Sequence, residues 1–80
     1  MQKTLADLAP SESGQIHAIS GTDGISHRLA ELGFTRGQTV QVIRFAPLGD
    51  PIQIRIRGFQ LALRRQEATR VLLASPTPSA

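Results

Sequence analysis

Three isoleucines at every second position, Ile52, Ile54 and Ile56, alternate with Gln53, Arg55 and Arg57. That period of two confines the stretch to a strand with one dry face and one wet one. With Arg57-Gly58 as a tight two-residue turn, Ile56 pairs with Phe59, Ile54 with Leu61 and Ile52 with Leu63. Six apolar side chains then share one face, while Arg55 meets Gln60 and Gln53 meets Ala62 on the other. A slip of one residue would turn the isoleucines to the wrong side, so the pattern sets its own register. The fold is therefore expected to be β.

The rest of the chain supplies partners for that hairpin. Leu5 and Leu8 read as one N-terminal helical turn stopped by Pro10, and Ser11 to Gly14 as a turn. Gln15 to Ser20 alternates as a first strand, with Ile16, Ala18 and Ser20 on one side and Gln15, His17 and Ile19 on the other. Asp23 is an N-cap candidate for a short amphipathic helix carrying Ile25, Leu29 and Leu32, and Gly33 stands where a left-handed stop belongs. Residues 39–45 form a strand whose inward face is either Val40 and Val42 or Ile43 and Phe45, unless a bulge satisfies parts of both. A helical turn at 64–68 and a closing strand at 69–73 follow, and residues 75–80, rich in proline and serine, are expected to be a disordered tail.

Eighty residues make one domain, here residues 1–74. Five or six short strands cannot leave long edges bare, so a small closed or nearly closed barrel with one short helix is the natural packing. A core of this size contributes only about 3–5 kcal/mol of net stability, and with no cysteine there is neither a disulfide nor a thiolate metal site to reinforce it. The net charge of +3 comes from eight arginines and one lysine against six acids. With no Trp or Tyr and three Phe, the chain lacks the stacking platforms of a single-strand nucleic-acid binder, so no stable nucleic-acid partner is expected. No run of 18 apolar residues spans a membrane, and Asp7 interrupts the N-terminus where a signal peptide needs an apolar core. A cytoplasmic protein is the expectation.

Several segments carry a resemblance. They are L-x-x-L before a glycine turn (Leu5, Leu8, Gly14), R-L-A-E-L-G (Arg28 to Gly33), Arg36-Gly37, A-P-L-G-D-P-I (Ala46 to Ile52), Arg57-Gly58 and L-A-L-R-R-Q-E-A (Leu61 to Ala68). In this order they resemble the FeoA family, the small cytosolic partner of the bacterial ferrous-iron transporter FeoB. The resemblance spans roughly Leu5 to Leu73. It implies an SH3-like barrel and an accessory or regulatory role in iron uptake, exercised by docking on the transporter's cytosolic GTPase domain. Any contact with a membrane would then be through the transporter.

Candidate contact residues follow from both lines of argument. Pro47-Leu48-Gly49-Asp50-Pro51 is a candidate docking loop: two prolines fix φ, and Leu48 stands at the tip as an apolar anchor. In the plainer alternative Leu48 folds back on the barrel and Asp50 bonds its own turn. Arg44, Arg55 and Arg57 form an outer positive stripe, for an acidic partner patch or simply for water. The helix corner of Leu29, Leu32 and Phe34 is a third contact candidate, although Phe34 also reads as a core plug. His27 and Glu31, four apart on one helix face, are the start of a surface Zn²⁺ or Fe²⁺ site, with His17 a separate lone imidazole. Two ligands hold a divalent ion weakly, and no cofactor is required by this reading.

Catalysis has no support: the spacing argues for no Ser-His-Asp set, and no phosphate-cradling G-x-x-x-x-G-K-[ST] loop exists. Arg64-Arg65 would serve only as an inserted finger on a neighbour's nucleotide. The expected function is a non-enzymatic binding module that modulates a ferrous-iron transporter. Its alternatives are a small RNA-binding barrel and a metal-responsive interaction module like the C-terminal barrels of metal-dependent repressors.

Overall fold

A computed structural model describes residues 3–74; the tail expected at 75–80 lies outside them. The strands are β1 (Ser13–Ile19), β2 (Thr39–Phe45), β3 (Ile52–Ile56), β4 (Phe59–Leu63) and β5 (Val71–Leu73). Between them lie helices α1 (Gly24–Glu31) and α2 (Arg65–Ala68), and a 3₁₀ turn at Leu5–Asp7 precedes β1. The strands form one antiparallel sheet in the order β4-β3-β2-β1-β5. The barrel stays open along the seam between β4 and β5, which α2 connects in sequence.

The isoleucine hairpin has the register its side chains demand. Ile56 faces Phe59, Ile54 faces Leu61, and Ile52 faces Leu63. Arg57 and Gly58 both take positive φ, 54° and 85°, as a type I′ turn requires. The dry face is narrower than six residues, however. The three isoleucines and Leu63 are buried, whereas Leu61 is half-buried and Phe59 is 46% exposed, because β4 is an edge strand with no neighbour beyond it among the described residues.

Two bulges settle the inward faces. In β2 the register shifts between Val42 and Arg44, so Val40 and Val42 are buried against Ile56 and Ile54 while Phe45 lines up with Ile52. Parts of both candidate faces are thus used, one on each side of the bulge, with Phe45 packing on the core and Ile43 left out of it. In β1 the shift falls between Ile16 and Ala18, which changes the phase: Ile16 is buried and Ile19, rather than Ala18, packs against the core. Ser13 and Gly14, expected in a turn, already belong to β1. The turn lies earlier at Ala9–Glu12, closed by Glu12 N–H donating to the Ala9 carbonyl at 3.0 Å.

α1 starts and stops by the expected chemistry. The Asp23 carboxylate accepts from Ser26 N–H at 3.3 Å. At the far end Gly33 has φ 102°, Gly33 N–H donates to Ala30 O and Phe34 N–H to Leu29 O, both at 3.1 Å. This is a Schellman stop, with Leu29 and Phe34 both buried as its apolar contact. Two ion pairs fasten the helices to distant chain. Arg28 meets Glu67 of α2 at 2.7 Å, and the two guanidinium nitrogens of Arg70 meet the two Asp23 oxygens at 2.9 and 2.8 Å. Arg70 is the first cause that holds the Asp23 carboxyl well below the usual carboxylate range, with the Ser26 N–H second.

Gly33→Ala should cost about 1–2 kcal/mol, because its left-handed backbone disfavours a side chain and a Cβ there would come 2.9 Å from Arg57 Cδ. A lower urea midpoint at an unchanged slope is the expected reading; an unchanged midpoint would contradict the assigned helix stop. Because the folded pKa of Asp23 is depressed, its stabilisation is complete above the unfolded carboxylate value of about 3.9 and fades as pH falls below it. Urea midpoints of the wild type and Asp23→Asn should therefore converge on acidification from pH 5 to 2.5, most clearly at low salt.

Candidate functional site

The loop between β2 and β3 projects from the barrel on a braced base. Gly49 N–H donates to Ala46 O at 2.7 Å, closing a turn with Pro47 and Leu48 at its centre, and Ala46 N–H donates to Pro51 O at 3.0 Å. Leu48 is 96% exposed, so the alternative in which it folds back on the barrel does not occur. Pro47 and Asp50 are exposed as well, and Gly49 and Pro51 are half-buried. Asp50 does not bond its own turn: Oδ1 accepts Arg65 N–H at 2.9 Å, capping the first residue of α2.

Arg65 holds the loop in place. Its Nη2 and Nε donate to Gly49 O at 3.0 and 3.3 Å, and Nη1 donates to Ala6 O in the N-terminal turn at 3.3 Å. The guanidinium also lies over the Phe45 ring, 5.2 Å from its centroid. Arg65 is thus committed internally, which removes it as a finger for a neighbour's nucleotide. Its role was not legible in the sequence, since its partners sit 16 and 59 positions away.

The other candidates separate. Leu29 and Phe34 are interior, at 0% and 1% exposure, so they support the helix corner without being able to touch a partner; Leu32 alone of the three is half-exposed. The Schellman stop buries them, which is the physical reason for the correction. Arg44 and Arg55 share the outer sheet face, with Arg44 Nε donating to Gln53 Oε1 at 3.1 Å and Arg55 opposite Gln41 and Gln60. Arg57 leaves that stripe: it sits in the hairpin turn with its stem against Gly33. His27 and Glu31 are exposed and line one surface groove of about 480 Å³ with Ile19, Ala30 and Thr22. His17 is not among its lining residues, and among the described residues no group of three or more His, Cys, Asp or Glu could hold a metal ion.

Arg65→Leu should free the loop without breaking the barrel. It strips donors from Gly49 O and Ala6 O, for a loss of about 1–3 kcal/mol. Faster backbone NMR relaxation confined to residues 47–50 would confirm the clamp, and an unchanged loop would refute it.

Comparison with known proteins agrees with this architecture. The FeoA domain family matches residues 3–75. A Porphyromonas gingivalis protein described as a fusion of Fe²⁺ transport protein A and the Fe²⁺ transporter FeoB is 33% identical over 67 residues, 84% of this chain; the chain spans only 8% of that protein. FeoA of Stenotrophomonas maltophilia, solved with zinc and described as a prokaryotic SH3-domain protein, superposes with a TM-score of 0.80 at 32% identity, covering 90% of this chain and 89% of that one. A FeoA-like protein from Clostridium acetobutylicum gives a TM-score of 0.87 at 25% identity over 99% and 92% of the two chains. With its family-wide match and its SH3-like sheet, the chain belongs to the FeoA family.

Proposed function

We propose that this chain is an accessory module of ferrous-iron uptake that docks on the cytosolic GTPase domain of a FeoB-type transporter and modulates its activity. The observation that carries the reading is the Porphyromonas gingivalis relative, in which a homologous segment and the transporter are one polypeptide. Covalent fusion raises local concentration, and it profits a pair of domains that bind each other. Among the described residues no helix is long and apolar enough to cross a membrane, so membrane attachment in this reading runs through the transporter.

The surface supports a gripping role. Leu48 is a large apolar side chain held almost wholly in water by a loop with two prolines and an arginine clamp. A pre-ordered anchor of this kind loses little entropy when a partner's pocket closes on it. Arg44 and Arg55 on the outer face supply positive charge for steering, and Leu32 adds apolar area at the helix corner. In this reading the grip requires no metal. His27 and Glu31 are a two-ligand start on a surface groove, too few for a structural Zn²⁺ site.

Leu48→Asp should leave the fold intact, because the side chain touches no core, and should weaken binding to the isolated GTPase domain at least about thirtyfold. Calorimetric titration of both forms, with nucleotide hydrolysis followed in parallel, checks it. Wild-type affinity in the variant would remove the loop from the interface. Absence of binding by the unaltered chain would defeat the proposal itself.

A further inference from the structure

The two edges of the sheet are finished differently. Along β5, Leu73 N–H donates to Lys3 O at 2.8 Å and Thr4 bridges Leu72, so the start of the chain covers that edge. Along β4, nothing among the described residues pairs with the outer side. A two-residue turn makes Ile56–Phe59 a hydrogen-bonded pair, so residues 59, 61 and 63 bond β3. The N–H and C=O groups of Gln60 and Ala62 therefore point outward.

Edges of this kind are ordinarily blunted by lysine, proline or a bulge. The β4 sequence F-Q-L-A-L has no lysine or proline, and its register with β3 is unbroken. Among the described residues Leu48 and Phe59 are the exposed large apolar side chains, and half-buried Leu61 lies two residues on from Phe59. A groove of about 240 Å³ lies against the strand, lined by Gln53, Gln60, Leu61 and Ala62. It is a separate surface from the loop tip: Leu48 does not line this groove, and Phe59 pairs with Ile56 at the end of β3 away from that loop.

Charge selects the occupant. Exposed Arg57 and Arg64 bracket β4. Antiparallel pairing of two copies about Leu61 would set Arg64 of each opposite Gly58 of the other, next to Arg57, and pack like charges at both ends. A strand carrying carboxylates at its ends reverses that penalty in either direction of pairing. We infer that the outer edge of β4 binds an extended partner peptide as a sixth strand, with an apolar residue opposite Leu61 and Asp or Glu at both ends against Arg57 and Arg64. Main-chain bonds to Gln60 and Ala62 give the grip and the flanking arginines choose the sequence. This site does not depend on which transporter domain Leu48 meets.

The test is an NMR titration of the ¹⁵N-labelled full chain with the peptide acetyl-Glu-Asp-Val-Thr-Val-Thr-Val-Asp-Glu-amide. The largest shifts are expected at residues 59–62, with amide exchange at Gln60 and Ala62 slowed at least about tenfold. A peptide with lysine at every acidic position should bind at least about tenfold more weakly, as should the acidic peptide to Arg64→Glu. Ala62→Pro removes an outward N–H that β3 does not use and should abolish the shifts. If that variant does not fold, a peptide N-methylated at the positions facing β4 replaces it on the wild type, with the same loss expected. Shifts centred elsewhere, no shifts at all or equal affinity for the lysine peptide would overturn the inference. So would concentration-dependent shifts at 59–62 without peptide, which would make a second copy the occupant.

Discussion

Ile52, Ile54 and Ile56 allow β3 only one register, and the neighbouring strands adjust to it. Across β2 those three residues, spaced two and two, face Phe45, Val42 and Val40, spaced three and two. The extra position has to leave the ladder, and the shift between Val42 and Arg44 is where it does so. The bulge turns Phe45 toward the loop end of β3, where its ring meets the Arg65 guanidinium. On the other side the same isoleucines align Leu63 with Ile52, which brings the start of α2 back to Asp50. The site geometry is thus a consequence of strand arithmetic.

The acids of this chain are used as backbone caps. Asp7 accepts Thr4 N–H, Glu12 accepts Ala9 N–H, Asp23 accepts Ser26 N–H, Asp50 accepts Arg65 N–H and Glu67 accepts Arg64 N–H. Of the six acids only Glu31 has no such role among the described residues. Two of the caps carry a second bond to arginine, Asp23 to Arg70 and Glu67 to Arg28. The carboxylates are thereby tied to turns and helix starts, while Arg44, Arg55, Arg57 and Arg64 stay exposed. This division of labour leaves those four arginines without a carboxylate partner among the described residues, although every acid but Glu67 is itself exposed.

That division also separates what the residues disclosed in advance from what they did not. The hairpin register, the Asp23 cap and the Gly33 stop rest on residues a few positions apart, where local sterics and hydrogen bonding decide. The loop with proline on both sides of Leu48 marked a candidate anchor but left open whether Leu48 folds back, which the bond from Arg65 to Gly49 O, 16 positions away, helps decide. The bulge at His17 was hidden, because Ala18 and Ile19 are both apolar enough to face inward and only pairing with β5 chooses between them. Phe59 looked interior by alternation; its exposure comes from edge position, a property of the whole sheet. Arg65 and Arg70 were hidden for the same reason, since each acts across 47 or more positions on Ala6 and Asp23 respectively. Leu29 and Phe34 lost their status as contacts to the Schellman stop, which needs that apolar pair for itself.

Leu48 and Phe59, the bare large apolar side chains among the described residues, are held by different physics, and this bears on how such a small barrel would serve a larger partner. Leu48 stands on a loop fixed by proline, by the Ala46–Gly49 turn and by Arg65, so its position is set before any encounter. A contact of that kind depends on burying apolar area and is little affected by salt. Phe59 belongs to a strand edge whose unmade main-chain bonds await pairing and whose flanks are arginines, so recognition there weakens with ionic strength. Leu48 and Phe59 lie toward opposite ends of β3, and the isoleucine register holds them about one strand length, 17 Å, apart along the strand. A partner that engaged both would gain affinity from that rigid spacing without any new contact, because the second grip becomes intramolecular once the first is made.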